Sequence, residues 1–246
     1  MCLTWIVGFS LLGSVGAIAL AGMFLLLPEK IRRILVPCLI GYATGTLLGA
    51  AFLGLIPHSL AEIPASPALS TVLIGIVLFF VLEKLVVWRH CHNQQCEVHS
   101  TAGPLLLVGD AFHNFVDGVI IAAAFVTSIP LGIAASLGVI AHEIPQEVGD
   151  LAILLESGYP RKRAVAYNVL SSLSTLPGAL LAYLALQGIQ RLTPYIMALS
   201  AASFIYIAIA DLVPNLHRHT GLASSLRQLV LMLAGIATIS LFHLGG

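Results

Sequence analysis

The chain has 246 residues, is 59% hydrophobic and only 9% charged, and has a mean hydropathy of +1.01, which excludes a soluble domain with a solvated, charged surface. Its formal net charge of zero offers no basic field for a nucleic acid, and the polar segments are too short to build a separate soluble domain. The four cysteines, Cys2, Cys38, Cys91 and Cys96, do not form a secreted disulfide framework, and no basic stretch precedes the first apolar run, which is therefore expected to be retained rather than cleaved.

Apolar runs of spanning length, about 20 residues each, predict helices over 3–27, 34–61, 68–88, 104–127, 131–156, 163–187, 194–214 and 222–244. The expected fold is all-α: a polytopic membrane protein with eight transmembrane helices in one domain over 1–246. Pro28, Pro64 and Pro67, Ser128 to Pro130, Gly158 to Pro160 and Gly188 to Pro194 supply turn chemistry between the runs. The longest separator, a loop at about 89–103, carries His90, Cys91, His92, Cys96 and His99, candidate loop metal ligands without the spacing of a zinc finger. In the second run Gly41, Gly45 and Gly49 recur every four residues, a stripe that lets a neighbouring backbone approach closely. His58 and Glu62 at the end of that run, and Asp211 toward the end of the seventh, are candidates for access or exit; ordinary interfacial residues explain them equally well.

Orientation follows from the basic residues, because cytoplasmic loops retain them during insertion. Lys30, Arg32, Arg33, Lys84, Arg89, Arg161, Lys162, Arg163, Arg218 and Arg227 all flank odd-numbered connections, and Arg191 alone flanks an even one. Odd loops are thus expected inside and both termini outside.

Ionisable residues within spans are costly and commonly mark ion or substrate pathways. The fourth run reads GDAFHNFVDG, with Asp110, His113, Asn114 and Asp117 at offsets of three, four and seven, hence on one helix face. The fifth reads HEIPQEVGD, with His142, Glu143, Gln146, Glu147 and Asp150 on one broad face. At about 1.5 Å per residue, His142 falls near the depth of Asp117 and Gln146 near His113, while Asp110, Glu147 and Asp150 lie further toward the cytoplasm as a candidate release path. Pro145 leaves the carbonyl of Ala141 without its helical donor. A lone intramembrane histidine is as often a packing residue as a ligand. Two facing clusters with five acids and no intramembrane lysine or arginine instead leave a cation as the natural partner. Mixed nitrogen and oxygen ligands suit zinc and other first-row divalent metals. His142 and Glu143 also begin the HExxH pattern of zinc proteases, but Gln146 stands where the second histidine belongs and a proline interrupts the motif.

At HNFVDG and HEIPQEVGD the chain resembles the ZIP (Zrt/Irt-like) family of divalent metal transporters, in the branch whose fifth helix reads HE-x-P-H-E-x-G-D; LIPHS and ADLVPN add support. The resemblance covers most of the chain. It implies a 3+2+3 arrangement with inverted repeats and an elevator-like movement of zinc, or of iron, manganese or cadmium, into the cytoplasm as transported substrate, with no cofactor. It further implies one metal at His113, Asp117, His142 and residue 146, and a second at Asn114, Asp117, Glu143 and residue 146. The sequence departs from the family at Gln146, where His or Glu is usual, and in the sixth helix, where Asn168, Ser171, Ser172 and Thr175 stand without a carboxylate. A proton-coupled exporter or antiporter and a membrane-embedded metalloenzyme are the alternatives. The expected partners are divalent metal ions and the lipid bilayer, with a homodimer as a candidate assembly, and the expected location is the plasma (inner) membrane.

Overall fold

Eight helical stretches account for nearly all the residues that the computed structural model describes, which are 2–88, 98–188, 190–218 and 221–244. They are α1 (2–25), α2 (Glu29–Glu62), α3 (Ala65–Trp88), α4 (Val98–Thr127), α5 (Ile129–Glu156), α6 (161–188), α7 (Thr193–His217) and α8 (Leu222–Leu244). No strand occurs among the described residues. His90, Cys91, His92 and Cys96 of the long loop lie outside them, and His99 falls in the first turn of α4.

Seven of these helices are long and apolar enough to cross a membrane. The exception is α5, which has 28 residues and therefore ample length; its polar residues set it apart. The sequence-based expectation of eight spans thus holds for seven by length and apolarity together.

The backbone follows local chemistry. A single residue, Ser128, separates α4 from α5, and its extended backbone lets the hydroxyl accept from Leu131 N at 3.3 Å while Pro130 fits the first turn. This short turn folds α4 and α5 antiparallel, face against face. Pro145 sits inside α5 without ending it. In α6 Pro177 cannot donate to the carbonyl of Leu173, and the helix breaks between Ser172 and Thr175, where Leu176 N takes up that carbonyl at 3.1 Å. Single π-helical turns interrupt α1 at Leu12–Gly16, α2 at Ala50–Leu55 and α7 at Ile207–Leu212.

Packing puts the polar helices in the middle. α5 touches α1, α2, α4, α6 and α8, while α4 touches α1, α5, α6 and α7. Leu47, Leu55, Ile120, Ile121 and Phe204 fill the core around them, and Leu73, Ile74, Leu184, Val230 and Leu241 remain on the outer faces. Close approach is built from small residues. The stripe on α2 packs against α8, where a Cβ on Gly45 would lie 2.0 Å from Met232 O and one on Gly235 only 2.4 Å from Tyr42 O. The α4 and α6 pair is equally tight at Gly118 and Gly178, whose Cβ atoms would meet Thr175 O at 2.0 Å and Phe115 O at 2.1 Å. Without a hydrophobic drive between helices in lipid, such backbone contact supplies the van der Waals attraction.

Candidate metal centre

One polar cluster forms where α4 crosses α5. His113, Asp117, His142 and Glu143 each offer a ligand atom, and the four atoms lie within 4.8 Å of one another. His113 Nε2 is 3.1 Å from His142 Nε2, and 3.6 Å and 3.4 Å from Asp117 Oδ2 and Glu143 Oε1. His142 Nε2 is 3.2 Å from Asp117 Oδ2 and 3.6 Å from Glu143 Oε1. The periodicity of the two helices explains the convergence: His113 and Asp117 are one turn apart on α4, and His142 and Glu143 are adjacent on the facing side of α5.

The imidazole of His142 is held in a defined state. Its Nδ1 lies 2.9 Å from Gly138 O, and because a carbonyl only accepts, Nδ1 carries a proton there and Nε2 is the nitrogen turned to the cluster. The carboxylates are poorly served. Asp117 and Glu143 are fully buried, yet both oxygens of each lack a hydrogen-bond partner, and no lysine or arginine among the described residues pairs with either. Buried oxygens of this kind are costly unless a cation or a donor meets them. Two carboxylates and two imidazole nitrogens therefore fit a divalent ion of the zinc type.

Other residues singled out from the sequence take different places. Gln146, expected level with His113, donates from Nε2 to Asp110 Oδ1 at 3.2 Å, three residues before His113 on α4. Asn114 is tied to the same carboxylate by Nδ2 at 2.9 Å and accepts from Thr175 Oγ1 at 3.0 Å. Glu147, expected beside Asp110 and Asp150 on the release path, is buried against α6, accepting from Asn168 Nδ2 and from the Ser172 hydroxyl. Asp110 also accepts from Ser171 Oγ at 2.5 Å. His58 Nδ1 donates to Gly54 O at 2.9 Å, next to the π-helical turn of α2, and Glu62 is exposed.

A cavity of about 670 Å³ adjoins the tetrad, with His113, Asp110, Gln146, Asp150, Asp211 and Asn215 among its walls. A neighbouring cavity of about 250 Å³ shares His113, Glu83 and Asp211. The tetrad touches this space at one point only: the side chain of His113 is 22% exposed, against 0–1% for the other three.

The sequence reading did not find two features. Asn168, Ser171, Ser172 and Thr175 form a row of donors from α6 to Glu147, Asp110 and Asn114; their offsets of three, four and seven were the available signal. Glu83 of α3, which accepts from the Tyr206 hydroxyl, gave no comparable signal, since a glutamate beside Lys84 near a helix end reads as interfacial.

The structure thus sets a buried group of side chains that could hold a metal ion inside a bundle of helices, seven of them long and apolar enough to cross a membrane. Residues 87–243 match the sequence model of the ZIP zinc transporter family, and the chain belongs to that family. It is 32% identical to zinc transporter ZIP13 of Pongo abelii over 98% of this chain and 79% of that protein. It is also 37% identical to zinc transporter foi of Drosophila melanogaster over 60% of this chain and 21% of that protein. Against zinc transporter ZIP10 of Danio rerio the identity is 39% over 46% of this chain and 13% of that longer protein. Members of this family are transporters, not enzymes.

Proposed function

We propose that this chain moves zinc, or a related divalent first-row metal, across the membrane toward the cytoplasm, with His113, Asp117, His142 and Glu143 as the transit site. The observation that carries the proposal is the set of four buried carboxylate oxygens without hydrogen-bond partners beside two imidazoles. A passing cation supplies the missing positive charge, and it sheds water against these groups as it enters and regains water as it leaves.

In this reading α5 is the eighth span, its polar face covered by protein instead of lipid, since five other helices pack on it. The central position of α4 and α5 supports a 3+2+3 arrangement in one transmembrane domain. For transport in that direction, the side from which the tetrad is reached is the release side. Asp150 and Ile153, in the last turns of α5, line the larger cavity, and the first turn of α6, just past the connection from α5, carries Arg161, Lys162 and Arg163, so by the basic-residue rule the cavity lies on the cytoplasmic side. His113 then faces the inside, and Asp110, Gln146, Asp150 and Asp211 form the release path. Glu147, bound to α6, braces the site.

Zinc uptake into proteoliposomes containing the purified chain tests the proposal. Wild-type protein is expected to take up zinc, and correctly inserted Asp117→Ala and His113→Ala proteins are expected not to. Wild-type flux in both variants would remove the tetrad from the pathway.

A further inference from the structure

A second polar site lies away from the tetrad, where the ends of α1 and α5 meet the beginnings of α2 and α6. A cavity of about 330 Å³ there is walled by Leu26, Leu151, Leu155 and Val165 together with Arg32 and Arg161. The buried cluster of Ala21, Leu151, Leu154 and Ala164 packs beside it. Both basic residues line this one space. Arg33, next in sequence, is paired with Glu29 through Nε at 2.9 Å and Nη2 at 2.5 Å. Arg32 Nε is buried and has no hydrogen-bond partner, while Arg161 lines the same cavity from the exposed first turn of α6.

A buried guanidinium N–H without an acceptor is a costly arrangement. Two guanidinium forks present donors suited to an oxyanion, and the leucine walls suit an alkyl chain. The geometry points to a site for an anionic phosphate group, supplied by the headgroup of an anionic phospholipid whose acyl chains run along the outer faces of α1 and α6. Charge complementarity places that lipid in the leaflet on the side of Arg32 and Arg161, which the basic-residue rule makes the cytoplasmic one, where anionic lipids concentrate. Basic pockets between membrane helices on this side are a recurring means of holding such headgroups.

The test uses the full chain in vesicles of equal parts phosphatidylcholine and phosphatidylglycerol, with retention of labelled phosphatidylglycerol measured at about 1 M salt, where the Debye length of roughly 3 Å removes general surface attraction. Wild-type protein is expected to retain the anionic lipid. Arg32→Gln/Arg161→Gln is expected to lose it by at least about tenfold, the equivalent of one charge-assisted hydrogen bond of about 1.5 kcal/mol. Lys162→Gln/Arg163→Gln removes the same charge from the same turn of α6, at residues that do not line the cavity, and is expected to leave retention unchanged. Val165→Trp, which fills the cavity and keeps both arginines, is expected to lose the lipid as well, so a folding defect in the arginine variant does not shelter the idea. Displacement of the lipid by inorganic phosphate would keep the oxyanion site and name the free anion as its source. Equal losses in the two charge variants, or retention in both the arginine and tryptophan variants, would overturn the site, and neither result depends on zinc flux through the tetrad.

Discussion

Gly118 is the point at which the metal-bearing helix α4 touches its brace α6, and adding one methyl there tests whether that contact holds the site in register. A Cβ at this position would lie 2.0 Å from Thr175 O, and ordinary contact begins at 3.4 Å, so Gly118→Ala must part the helices by about 1.4 Å. The bond from Thr175 Oγ1 to Asn114 Oδ1, now 3.0 Å, does not survive that movement, and the bond from Ser171 to Asp110 one turn away is strained with it. Overpacking costs about 1–3 kcal/mol, and each buried polar group left without its partner adds about 1–3 kcal/mol. The sum corresponds to a fall in Tm on the order of 10 °C for a chain of this size. Gly149→Ala in α5 is the control, because a Cβ there meets no heavy atom within 4 Å. Thermal unfolding in detergent and zinc uptake in proteoliposomes are the two assays, with losses expected in both for Gly118→Ala and in neither for Gly149→Ala. Wild-type Tm and flux in Gly118→Ala would refute the bracing role of α6.

Three further outcomes are expected. Gln146→His replaces an amide with imidazole beside the cavity and should raise zinc affinity by calorimetry, without a matching gain in flux, because tighter binding slows release. Ser172→Ala removes a hydroxyl donor from buried Glu147, so stability should drop by about 1–3 kcal/mol while zinc affinity at the tetrad holds; an unchanged melting curve would show that this bond is not needed. Zinc affinity should fall as pH is lowered, since the ligands bind metal as neutral imidazole and carboxylate and protons compete for them; affinity independent of pH would argue against the imidazoles as ligands.

Much of the site was legible in the sequence because helical spacing is strict. The offsets in GDAFHNFVDG and the adjacency of His142 and Glu143 put candidate ligands on single faces, and the short turn at Ser128 made the two faces neighbours. Axial register was not legible to the same accuracy. A depth count at 1.5 Å per residue carries no information on helix tilt, and in the structure Gln146 reaches Asp110 rather than the level of His113. Burial by neighbours was also hidden: Glu147 and Asp110 appeared alike from composition, but α6 encloses Glu147 with Asn168 and Ser172, whereas Asp110, met by Ser171, also lines the cavity. The glycine stripe on α2 announced a close contact, and only the structure assigned α8 as its partner.

Zinc K-edge X-ray absorption on the purified protein loaded with one equivalent of metal tests the tetrad most directly. A shell of nitrogen and oxygen at about 2.0–2.1 Å with the scattering of two imidazoles is expected, and His142→Ala should remove one imidazole from it. A sulfur shell near 2.3 Å, or an imidazole count unchanged in His142→Ala, would contradict a metal seat built from His113, Asp117, His142 and Glu143.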